Sequence, residues 1–241
     1  MGATLVQRLA MAALVDVVPV SMVEDVLHRC ERTGQRVRSL PPWVTCYHVL
    51  AAAMDPSAGY DEVTALLWAT LPAATGRGLA RQLPSRGAVT RARARLGVEP
   101  FEVLLGELLR AARGERNTSR VYLQKLHYGT AFGWLVRDAG TGALLGCELD
   151  PGAAPELVES VGATAVVLCP PHDGSSEELR QRLAATVTVA VGAMPVRHAV
   201  DSAPLRGRSA AAAKQEIMAR ACVLAAQEAA SRRVRLSHVT G

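Results

Sequence analysis

Helix-stopping residues cut the first hundred positions into short segments and leave little room there for a sheet. Pro19, Gly34, the Pro41-Pro42 pair, the run Asp55-Pro56-Ser57-Ala58-Gly59, Pro84, Gly97 and Pro100 separate stretches whose apolar residues recur at helical spacing. The opening MGATLVQRLAMAALVDVVPV reads as a buried helix ending near Pro19. Arg8 interrupts its apolar run, which is too short to span a bilayer, so a signal peptide or membrane anchor is not expected. Ser21 and Glu24 have the spacing of a capping box, with Val23, Val26, Leu27 and Cys30 as the inner stripe behind it. Pro41 and Pro42 suit the first turn of a helix with core face Trp43, Val44, Tyr47, Leu50 and Ala51. A further helix is predicted from Tyr60 to Leu71, then a flexible link over residues 72–80. Phe101, Leu104, Leu105, Leu108 and Leu109 mark the inner face of the helix that Pro100 opens.

Within this series the stretch RQLPSRGAVTRARARLGVEP, residues 81–100, carries the chemistry. Ser85 is placed to cap a helix that Gly97 stops, and Ala88, Val89, Ala92 and Leu96 form its narrow apolar stripe. Arg86 and Arg93 fall on one flank and Arg91 and Arg95 on the other, around an open face of Gly87, Thr90 and Ala94. A small-residue face between arginines can approach a phosphate backbone closely, each arginine releasing counterions from one phosphate. The candidate DNA contacts are therefore Arg81, Arg86, Thr90, Arg91, Arg93 and Arg95, with Thr90 central enough to reach a base edge. A solvated, arginine-rich helix surface explains the same residues equally well.

Composition constrains partners only modestly. The net charge is +5 and the isoelectric point near 9.2, but Lys125 and Lys214 are the only lysines, so abundant arginine partly reflects coding bias. Aromatic residues make up 4%, too few for a base-stacking platform on single strands. Cys30, Cys46, Cys147, Cys169 and Cys222 have no paired spacing and read as small buried residues of a cytosolic protein. The histidines are equally scattered, so no metal site is expected.

After the polar link ARGERNTSR the character changes. Strands are predicted near 121–127, 131–137 and 143–149, with Asp138-Ala139-Gly140-Thr141-Gly142 turning between the last two. Residues 163–169 read as a central strand, Ser175 or Ser176 as the cap of a helix through Ala184, and 187–191 as another strand. Ser209 to Arg233 is a long alanine-rich helix. The fold class is α+β: a helical unit over residues 1–112, a linker over 113–120, and a small α/β unit over 121–241 ending in that helix.

Three segments, VVPVSMVEDVLHRC, LPPWVTCYHVLAAAMDPSAGYDEV and LPSRGAVTRARARLGVEPFEVLL, resemble in order and spacing the N-terminal domain of bacterial insertion-sequence transposases of the insertion sequence four type. The resemblance implies that the arginine helix touches duplex DNA and that a ribonuclease-H-like catalytic unit follows. The tail LRGRSAAAAKQEIMARACVLAAQEAASRRVRLSHVTG is similar, more loosely, to the piece after that family's glutamate helix, through Leu205-Arg206, Lys214-Gln215-Glu216-Ile217 and Arg235-Leu236-Ser237. Transposition of this kind needs three carboxylates on two magnesium ions. The family contexts are Asp-Gly-Thr after a strand, Asp before an Arg-Gly turn, and Tyr-x-x-Arg-Trp-x-Ile-Glu, and none is intact here. Asp173-Gly174-Ser175 is the one echo, and it reads better as a capping turn, as Glu177, Glu178 and Asp201 read as ordinary surface acids. No catalytic residue, cofactor or metal ligand is assigned; magnesium belongs only to the alternative of an active transposase. The expectation is a transposase-derived duplex-DNA-binding protein without catalysis, away from membranes, with a homodimer open. The third alternative is a protein-interaction module whose arginines are merely solvated.

Overall fold

A computed structural model describes residues 4–33, 40–112, 119–128, 131–150, 152–169, 175–193 and 204–239. Six helices come first: α1 (Leu5–Val17), α2 (Val20–Arg29), α3 (Pro42–Met54), α4 (Tyr60–Thr75), α5 (Arg86–Leu96) and α6 (Glu99–Ala112). Strands begin with β1 (Arg120–Tyr128), followed by β2 (Ala131–Asp138), β3 (Leu144–Glu148), α7 (Ala154–Ser160), β4 (Ala165–Cys169), α8 (Ser175–Ala184) and β5 (Thr188–Val191). The long helix α9 (Ala210–Val239) closes the chain. The fold is α+β.

The local chemistry of the first half is largely that read from the sequence. Pro41 and Pro42 start α3, and Asp55 Oδ1 organises the next turn by accepting from the Ser57 and Ala58 amides at 3.1 and 3.2 Å. Three expectations need correction. Ser21 and Glu24 form no capping box, because α2 starts two residues earlier than their spacing implies, with Pro19 at its N-cap; Glu24 instead pairs with Arg77, Oε2 at 2.9 Å from Nη2. The helix α4 runs through Pro72 to Thr75, ending at Gly76, so the link after it is shorter than 72–80. Proline suits helical φ, and only one backbone donor is lost in the last turn. Finally, α1 is buried on one side only: Met11, Leu14, Val15 and Val17 face the core while Leu5, Val6 and Leu9 are exposed.

Five strands form one sheet in the order β3-β2-β1-β4-β5. An antiparallel meander β1–β2–β3 is extended by β4 and β5, each parallel to its inner neighbour through a helical crossover. The turn over 138–142 forms as expected: Asp138 Oδ1 accepts from the Gly140 and Thr141 amides at 3.1 and 2.7 Å. Alternation along the strands divides the sheet's side chains between two cores. Val121, Leu123, Trp134, Val136, Val166 and Leu168 pack with α7 and α8. Leu126, Leu135, Leu144 and Cys147 join the larger core of α1 to α6 and α9. The helix α9 is common to both halves, lying against α6, α3, α1 and α5 and against β2 and β3. Its approach to the sheet requires Gly133, where an added Cβ would meet Ile217 Cγ2 at 2.8 Å. All five cysteines are buried and none forms a disulfide.

Candidate nucleic-acid interface

The helix α5 is built as its sequence dictates. Ser85 Oγ accepts from the Ala88 amide at 3.3 Å, and Gly97, at φ +73°, closes the other end with its N–H on the Arg93 carbonyl at 3.2 Å. Val89, Ala92 and Leu96 are buried, whereas Gly87, Thr90, Arg91, Ala94 and Arg95 are exposed. Arg81 is exposed ahead of the helix. Arg81, Arg91 and Arg95 have no ion pair among the described residues, which leaves a charged outer rim with small residues between.

The other flank behaves differently. Arg86 makes a two-pronged pair with Asp61, Nε to Oδ1 at 3.1 Å and Nη2 to Oδ2, with both side chains exposed. The guanidinium holds the Asp61 carboxyl below the usual range. An exposed pair of this kind costs little to exchange for a phosphate. Arg93 is half-buried and faces inward: its Nε donates to Gln215 Oε1 at 3.0 Å and its Nη1 to Tyr60 Oη at 2.9 Å, with the guanidinium 6.0 Å from the Tyr60 ring centroid. The flank shared by Arg86 and Arg93 looks onto α4 and α9, so Arg93 braces the fold where the periodicity placed it outside. The Thr90 hydroxyl donates to the Arg86 carbonyl at 3.0 Å, so it can offer a base edge only an acceptor. Arg77 is held by Glu24 and lies 5.8 Å from the Trp43 ring centroid.

With this helix seated among α3, α4 and α9, comparison with known families is decisive for the first half. The family model described as insertion element 4 transposase N-terminal matches residues 8–106. Residues 8–106 form a transposase N-terminal domain of that kind. No curated protein and no solved structure matches the chain.

The tail motif that echoes the same family turns out to hold this transposase domain together. Gln215, 3% exposed on α9, donates to the Arg93 and Gly97 carbonyls at 3.1 and 2.7 Å while accepting from Arg93. One amide thus caps the C-terminal end of α5 from another helix. Glu216 Oε2 accepts from the Arg206 and Gly207 amides at 2.9 and 3.1 Å, and its Oε1 pairs with buried Arg220 at 2.8 Å. Arg206 reaches back to the Asp55 carbonyl at 3.1 Å, and Leu205 and Ile217 are core. The sequence flagged Lys214-Gln215-Glu216-Ile217 only as a likeness; that Gln215 meets the arginine helix had no local signal, because the two lie more than a hundred positions apart.

Among the described residues, the donor chemistry does not fit the magnesium that the resemblance implies. Neither β1 (RVYLQKLHY) nor β4 (AVVLC) contains a carboxylate, and Lys125 of β1 lies 5.7 Å from the Trp134 ring centroid. Among the described residues no three His, Cys, Asp or Glu side chains could together hold a metal ion. Glu177 in the first turn of α8 pairs with Arg180 at 2.7 Å, and Asp173 and Asp201 lie outside the described residues. No described helix is long and apolar enough to cross a membrane.

Proposed function

We propose that this chain binds duplex DNA as a transposase-derived protein and performs no strand transfer. The observation that carries the reading is the outer rim of α5: Arg91 and Arg95 stand exposed in a domain of transposase type, with Thr90, Gly87 and Ala94 leaving room for a phosphate backbone. Arg86, whose partner Asp61 is solvent-exposed, and Arg81 extend the rim. Arg93 positions the helix from within. These contacts are phosphate contacts, which position a protein without reading sequence. So few arginines per copy neutralise few phosphates, which favours two copies bound together. The mixed sheet supports descent from a ribonuclease-H-like unit. The absence of any carboxylate from β1 and β4 supports loss of catalysis.

The test is a titration of wild type and an Arg91→Ala/Arg95→Ala variant against one duplex at two salt concentrations. The double variant is expected to bind that duplex more weakly and to lose about two units of salt slope. Superimposable curves would end the DNA reading and favour a protein-interaction module. Cleavage of DNA with magnesium or manganese that disappears on replacing Asp173 would instead establish an active transposase.

A further inference from the structure

We propose that two copies of this chain pair through β5, the outer strand of the sheet, in antiparallel register centred on Ala190. The inference specifies the surface behind the two-copy reading above. Strand β5 ends the sheet, and its inner edge is occupied by β4. The Thr188 amide donates to the Thr164 carbonyl at 3.0 Å and the Gly192 amide to the Leu168 carbonyl at 3.1 Å. Backbone groups alternate in direction along a strand, so the N–H and C=O of Val189 and Val191 point away from β4. No described residue pairs with them.

Exposed edges are ordinarily guarded by shortness, charge, proline or a bulge, and β5, at Thr188–Val191, has only the first. From Leu183 to Ala193 this chain carries no charged residue and no proline, β4 and β5 pair without a register shift, and Val191 is 60% exposed. A second copy centred on Ala190 satisfies the geometry. Side chains directly opposite in a continuous sheet share a face, so a twofold axis must pass through a residue and not between two. Centring on Ala190 places Val189 opposite the partner's Val191 as a hydrogen-bonded pair, and its symmetry mate repeats it. All four outward N–H groups and carbonyls of the two valines are then engaged. Ala190 faces its own copy as the close, non-hydrogen-bonded pair, where a small side chain is needed. The exposed Val191 side chain is covered by the partner's Val189 on the same face.

Sedimentation of the full chain over roughly two decades of concentration tests this, since self-association is a mass-action effect. The wild type is expected to show a concentration-dependent dimer. Val191→Lys should raise its dissociation constant at least about tenfold. Val191→Pro should do the same while sparing the β4 ladder, because the amide it removes points outward. Ala190→Cys should form a disulfide-linked dimer under mild oxidation, whereas Val191→Cys should not, the five native cysteines being buried. A dimer indifferent to both Val191 variants, and not cross-linked by Ala190→Cys, would overturn the β5 surface and leave the two-copy reading standing. A wild type that stays monomeric throughout would overturn both.

Discussion

His48 shows how a single buried side chain can set a condition on the whole helical half. Its Nε2 lies 3.3 Å from Thr64 Oγ1, whose own proton goes to the Tyr60 carbonyl at 2.8 Å, so the imidazole nitrogen must be the donor. Its Nδ1 is buried without a partner and its ring lies against Tyr60, with centroids 5.6 Å apart. Burial, reinforced by the positive charge of Arg93, pushes its pKa down to about 4. The unfolded chain therefore binds more protons than the folded one between about pH 6.5 and about 4. The stability contributed by the neutral ring is full above that window and falls as pH drops through it. Denaturant titrations at several pH values should show a loss of at most about 3.5 kcal/mol across the window, at about 1.4 kcal/mol per unit. His48→Leu should flatten that slope; an unchanged slope would mean that other groups carry it.

At the level of elements, the hydrogen-bonded contact between α5 and α9 is made by one amide. Gln215 takes up one nitrogen of Arg93 and two carbonyls at the end of α5. A leucine there keeps the volume but strands these groups in a dry interface. Gln215→Leu is therefore expected to cost about 2–4 kcal/mol in urea unfolding. A loss under about 0.5 kcal/mol would show that water replaces the amide without penalty. The same junction explains why Arg93→Ala should lower stability more than it changes the salt slope of DNA binding, in contrast with Arg91→Ala and Arg95→Ala.

Across the whole molecule, the transposase N-terminal domain is not closed by its own helices. Ala213, Ile217, Met218, Ala221, Cys222 and Ala225 of α9 belong to the same core as Val44, Tyr47, Leu50, Phe101 and Leu105. Cys222 places its Sγ 3.2 Å from the Phe101 carbonyl, well inside that core. Residues 1–112 expressed alone should consequently expose this apolar seam and fail to unfold cooperatively. Adding residues 204–241 in trans should restore a cooperative transition by calorimetry. A sharp transition for 1–112 alone would show that the seam is dispensable.

The sequence by itself determined the elements. Proline, glycine and Asx chemistry acts on the residues within a few positions, so the cuts at Pro19, Pro41-Pro42, Asp55–Gly59, Ser85 and Gly97 were legible without any tertiary contact. The same holds for the Asp138 turn and for the order of helices before strands. Even the exception at Ser21 is local, since proline's fixed φ suits Pro19 to the cap position two residues earlier. Periodicity also identified Val89, Ala92 and Leu96 as the inner face of α5, but it could not rank the flanks. Which arginines remained free was decided only when α4 brought Asp61 and Tyr60, and α9 brought Gln215, against one flank. Those partners are separated from α5 by up to 122 positions, and no local rule couples residues so far apart. The edge of β5 likewise reads as an ordinary apolar run in sequence. That nothing described lies beyond it depends on strand order, which long-range pairing alone decides.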